Sequence, residues 1–266
     1  RVVLLAVLSL ASSNLFAIAV RDQLLLAELD AWRARTGFHQ LSIRGYAPDD
    51  IRSQSQLVSA ATARTGELVR TLPQASTLNA LWERMAERAL DNPLATQGYA
   101  DYHAFRELNE LTVAIRDQVR GLVADMAPTP QSQWLELAIR QQRLASEYLA
   151  LAAFPSAGIN TGTQESPFDF MAEAGEFEQQ LASASQGQLA EQEQSALNRV
   201  DGRWTFIRGA LPQLADAATP RVPMVFYRYS NDMSDALVRL VLDARGRDSI
   251  AAYRQPVGTD APRMTR

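Results

Sequence analysis

Arg140 and Arg143 place two guanidinium groups about one helical turn apart, beside Gln141, in the stretch Trp134 to Tyr148 that reads WLELAIRQQRLASEY. Trp134, Leu137, Gln141, Leu144, Tyr148 and Leu151 alternate three- and four-residue steps, the spacing of one seam of a bundle helix. Gln141 is the polar member of that apolar seam. Guanidinium forks match oxyanions, so Arg140, Gln141 and Arg143 form a candidate anion-binding group. The same charges allow a second pattern. Glu136 with Arg140, and Arg143 with Glu147, stand at i,i+4, where surface ion pairs form, and Gln141 would then fix helix register.

Other chemistry lacks residues to carry it. The chain has two histidines, His39 and His103, no cysteine and no Glu-x-x-His pair, which argues against a zinc, haem or di-iron site. Both histidines read as surface residues. There is no glycine-rich phosphate loop and no G-x-S-x-G elbow, so neither a catalytic residue nor a cofactor or metal site is expected, and the chain does not read as an enzyme. Asp169, Glu173, Glu176 and Glu178 could meet a cation but read as a solvated helix face. A formal net charge of -4 and no basic block give nucleic-acid binding no support. Every basic side chain other than the histidines is arginine, and the absence of cysteine rules out disulfides.

Helices must position these residues. Glycine and proline are sparse and clustered in the 266-residue chain, 47% of it is hydrophobic, and 3.5-residue periodicity recurs, so the expected class is all-α. Residues 2–20 carry no charge and would reach roughly 28 Å as a helix, about one hydrocarbon thickness. They read as a transmembrane helix, or as a signal peptide with a cleavage region near Phe16-Ala17-Ile18-Ala19. The apolar face continues through Leu24, Leu25, Leu29 and Trp32, and the helix is expected to end near Gly37. Pro48-Asp49-Asp50 announces a second helix to about Leu72. A third is expected from Ser76 to Leu90, and a fourth on the seam from Phe105 to Met126.

Pro128 and Pro130 then break the register, and the plan repeats. The second set comprises the helix from Gln131 to Phe154, a loop from Pro155 to Pro167, a helix from Phe168 to Gln186, the seam from Leu197 to Leu214, and the seam from Phe226 to Leu240. Trp82 and Trp204 each fall in the third helix of their half. The expected organisation is therefore two tandem antiparallel four-helix bundles, at residues 21–127 and 131–245, after the N-terminal apolar segment (1–20) and before a polar tail (246–266).

Ala138, Arg140, Gln141, Leu144 and Ala145 form A-x-R-Q-x-x-L-A. This resembles the motif of the PilJ-type sensor domain, the N-terminal domain of type IV pilus methyl-accepting chemotaxis transducers, which is related to nitrate/nitrite sensor kinases. The family helix reads A-G-R-Q-R-M-L-S-Q-R. Here Ile139 replaces the glycine and Glu147 the final arginine. Phe170, Phe177, Leu181 and Gly187 are similar to the family's F-x-x-x-L segment with its closing glycine, and Trp204 and Ile207 to its next helix. Leu41, Ser42 and Arg44 give a partial upstream echo, and the resemblance spans roughly residues 34–245.

The resemblance implies the periplasmic sensory domain of a bacterial chemoreceptor or sensor kinase. Such a domain would be held in the inner membrane through residues 2–20, be homodimeric, and answer a small anion or a pilus or envelope protein by rearranging its helices. In the related sensors, arginines of this motif from two subunits hold the anion at the dimer axis, a role that would fall on Arg140. The tail carries no second apolar run, whereas the family's receptors re-enter the membrane. The alternative expectation is an exported, stand-alone helical-bundle protein of the periplasm that acts through its surfaces without transmitting a signal.

Overall fold

The computed structural model describes residues 19–45, 47–99, 101–155, 161–162, 168–212 and 221–243. The expected apolar segment over residues 2–20, apart from its last two residues, and the tail over 246–266 lie outside the described residues. Within them the chain is all-helical, without strands. No helix among them is long and apolar enough to cross a membrane.

The helices are α1 (Val20–Arg44), α2 (Pro48–Thr71), α3 (Ser76–Leu90), α4 (Pro93–Gln97), α5 (Tyr102–Val123), α6 (Ser132–Ala153), α7 (Phe170–Ala184), α8 (Glu191–Ile207) and α9 (Pro223–Asp243). Proline and two aspartates in its first turn start α2, where the missing N–H costs nothing and the charges oppose the helix dipole. Asn92 caps α4 by accepting the Ala95 N–H, and Asp101 caps α5 by accepting the N–H groups of His103 and Ala104. The short α4 has no counterpart in the expected plan.

α1 runs past Gly37 to Arg44, seven residues beyond the expected end. Gly37 does not end the helix; it makes room. A Cβ there would lie 2.0 Å from Gln54 Oε1 of α2. Gln54 passes its amide across the bare backbone, and its Nε2 donates to the carbonyls of Ala34 (2.8 Å) and Ala89 (3.3 Å), which ties α1, α2 and α3 together. The helix instead ends at Gly45, whose φ of 75° suits glycine and whose N–H bonds the Leu41 carbonyl.

Every residue of α1 from Leu24 to Ser42 is buried, because other helices enclose it on all sides. It packs on α2, α5 and α6, with smaller contacts to α3, α4 and α9, and its most extensive contact is with α6. α3 packs on α2 and α5. α6 also meets α7 and α9, α9 meets α8, and Phe177 of α7 meets Trp204 of α8 edge to face at 4.8 Å. One hydrophobic cluster reaches from Leu24 through Trp82, Trp134 and Trp204 to Leu242.

Candidate functional site: the arginine pair and the polar joint of α1 and α6

Asp169 fixes the start of α7 by accepting the N–H groups of Met171 and Ala172. One turn on, Glu173 meets the arginine pair of α6. Arg140 Nη1 donates to Glu173 Oε2 and Arg143 Nη1 to Glu173 Oε1, both at 3.0 Å. Arg140 also bonds Glu176 Oε2. The Arg143 guanidinium lies 4.9 Å from the Phe168 ring centroid and 5.9 Å from that of Trp32 on α1.

This geometry corrects two expectations. The i,i+4 pairs do not form, because Glu136 and Glu147 face other partners: Arg120 of α5 donates to both Glu136 oxygens at 2.8 Å, and Arg35 of α1 takes Glu147. The acidic stretch of α7 is not simply solvated, since Glu173 and Glu176 neutralise the arginines and Glu178 accepts the Trp204 indole N–H at 2.9 Å. Gln141 does not join the arginines. It is fully buried in the seam with Trp134, Leu137, Leu144 and Tyr148, and neither its amide oxygen nor its amide nitrogen has a hydrogen-bond partner.

Another face of α6 builds a buried polar joint with α1 and α9. Arg35 and Glu147 face each other at 3.3 Å with both side chains wholly excluded from solvent, and Arg35 Nη1 donates to Ser146 Oγ at 2.8 Å. Burial lowers the Arg35 pKa, and Glu147 opposes that shift. Glu147 Oε1 also accepts the N–H (3.2 Å) and hydroxyl (2.5 Å) of Thr161. Nearby, Gln142 Nε2 donates to Thr36 Oγ1 at 3.0 Å, and Ser234 of α9 donates to Gln142 Oε1 at 3.2 Å. Arg33 completes the set with bonds to Ser234 Oγ (2.7 Å) and Asp235 Oδ1 (2.6 Å).

Sequence spacing did not reveal this joint. Its signal lay in α1, where Glu28, Asp30, Arg33 and Arg35 interleave with Leu24, Leu25, Leu29 and Trp32 and leave no wholly polar face. A helix of that pattern has to be enclosed with its charges paired. Glu28 meets Arg120 Nε at 2.7 Å, Asp30 pairs with Arg64, and Asp22 accepts from Thr129 and Ser132. Burial holds the Glu28 carboxyl above its usual range, and the opposing Arg120 charge does not cancel the shift.

The surface assignment of His39 is also corrected. It lies on enclosed α1, 1% exposed, stacked on Phe105 at 5.7 Å and 7°, and neither ring nitrogen has a partner. Burial, with Arg35 adding to it, pushes its pKa well below the ordinary imidazole value. His103 is exposed. Among the described residues no group of three or more His, Cys, Asp or Glu is placed to hold a metal ion.

Fold and site together define an all-helical protein whose two most extensively packed helices meet through buried charges and amides. No protein-family model matches the chain, and neither does a curated protein or a solved structure.

Proposed function

We propose that this chain is the extracytoplasmic sensory domain of a bacterial chemoreceptor or sensor kinase. In this reading it is a PilJ-type domain of two four-helix units, 21–127 and 131–245, held at the membrane through residues 2–20 and working as a homodimer. The observation that carries the reading is the division of labour on α6. Arg140 and Arg143 hold Glu173 and Glu176 of α7, while Gln142, Ser146 and Glu147 bond α1 and α9.

Glu173 offers each arginine one oxygen, as an incoming oxyanion would. It serves as the internal counter-ion that a small external anion displaces. Displacement frees α7 from α6 and shifts the helix that holds α1, the element next to residues 2–20. Differential binding of the two arrangements is the only source of the signal.

Tryptophan emission offers a test, because Arg143 lies against Trp32. Nitrate, nitrite and acetate are titrated into the purified chain. A saturable change is expected with at least one of them, abolished in Arg140→Ala and stronger in Glu173→Gln, and the optical change is expected to vanish in Trp32→Phe. A response that persists in Arg140→Ala removes these residues as the site, and no response to any of the three removes the anion.

A further inference from the structure

A groove lies between α8 and α9, and the arginine pair of α6 is not part of its lining. The facing side chains of these helices form polar rungs. Arg203 Nε donates to Asp232 Oδ2 at 2.8 Å, and further along Gln192 Nε2 donates to Asp243 Oδ2 at 2.7 Å. Between those rungs the pattern fails. Arg199 of α8 and Arg239 of α9 are both exposed, and neither has a hydrogen bond or ion pair among the described residues. Both line an open groove of about 700 Å³, where Ala196 and Ala236 leave room that larger side chains would fill. Glu191 and Asp243 line the same groove.

We propose that this groove binds a small zwitterion carrying a carboxylate and an ammonium group, the chemistry of a free amino acid. The carboxylate lies between Arg199 and Arg239, whose like charges on opposite helices gain a shared counter-ion. The ammonium lies toward Glu191 and Asp243. The four charges of the lining sum to zero, so a bare anion gains from the arginines and loses to the carboxylates, whereas a zwitterion satisfies both. A ligand here would clasp α8 to α9, and α9 carries Ser234 and Asp235, the partners of Arg33 on α1.

The test is isothermal titration of the full chain with each of the twenty protein amino acids in turn, and with inorganic phosphate as an anion without an ammonium group. At least one amino acid is expected to bind saturably, at least tenfold more weakly in Arg199→Gln/Arg239→Gln and in Glu191→Gln, and with unchanged affinity in Arg140→Ala. That last variant separates this groove from the α6 site. All the substituted groove residues are exposed, and circular dichroism checks that the variants keep their helix content. Absence of binding by all twenty overturns the proposal, as does binding that the double variant leaves unchanged. Phosphate binding as tight as the best amino acid and indifferent to Glu191→Gln overturns the zwitterion.

Discussion

The carboxamide of Gln141 is wholly buried with nothing to bond, while its seam neighbours are apolar. A buried polar group without a partner costs about 1–3 kcal/mol, so Gln141→Leu, nearly equal in size, is expected to stabilise the fold by about that amount. Thermal unfolding reads it, and a fall in stability would mean that the amide has a partner after all. His39 gives a second prediction through pH. Its folded pKa is depressed well below 6.5, so the unfolded chain binds the extra proton. The His39 contribution is therefore whole above the unfolded value and is lost as pH falls from there toward the folded value, at up to about 1.4 kcal/mol per pH unit. His39→Leu is expected to flatten the stability profile between about pH 6.5 and pH 5 relative to the native chain. Urea unfolding across that range measures the difference, and parallel profiles would remove His39 as the cause. Spacing located Gln141 as the anomaly of its seam. It could not place His39, because an imidazole fits a solvent face and an aromatic core equally well until Phe105 is seen against it.

At the scale of elements, the seams were legible because each needs only its own helix: α3 occupies Ser76–Leu90 as its spacing and flanking residues indicated. Gly37 was misread because a helix-ending glycine and a glycine under a crossing side chain look alike in one sequence. Gly37→Ala separates the two roles. A left-handed terminator changed to alanine would lose stability whatever residue stands at 54, whereas here the loss arises because the new Cβ evicts Gln54 from the Ala34 and Ala89 carbonyls. The expected net loss is about 1–2 kcal/mol, two hydrogen bonds against the propensity gain. In the Gln54→Ala background the same change is expected to stabilise, and a loss of equal size in both backgrounds would refute the crossing. The joint of α1 with α6 was illegible for a different reason: Arg35 and Ser146 stand 111 residues apart, and no periodicity links them. Removing one ion of a buried pair typically costs about 3–5 kcal/mol, whereas replacing both with apolar groups is often neutral. Glu147→Leu alone is thus expected to destabilise strongly, and Arg35→Met/Glu147→Leu to recover most of the loss in a double-mutant cycle.

At the scale of the molecule, the repeat of helix seams suggested two units in tandem, and two units joined only by a linker would unfold separately. The packing argues for a different thermodynamic behaviour. α1 belongs by sequence to the first half and α6 to the second, yet their mutual contact is the most extensive among the described helices, and the apolar cluster passes without a gap from Trp82 to Trp204. Neither half can lose its first helix without exposing the other's core. A single calorimetric transition is therefore expected, with equal van't Hoff and calorimetric enthalpies. Cavity-forming changes far apart, Leu108→Ala in α5 and Val200→Ala in α8, are expected to lower that one transition rather than split it, since each site is fully buried in the shared cluster. A calorimetric enthalpy near twice the van't Hoff value would mean that the halves fold independently. The proposed signal depends on which outcome holds. A shift of α6 is felt along α1 only while the two helices share one cooperative core, and halves that unfolded apart would break that route.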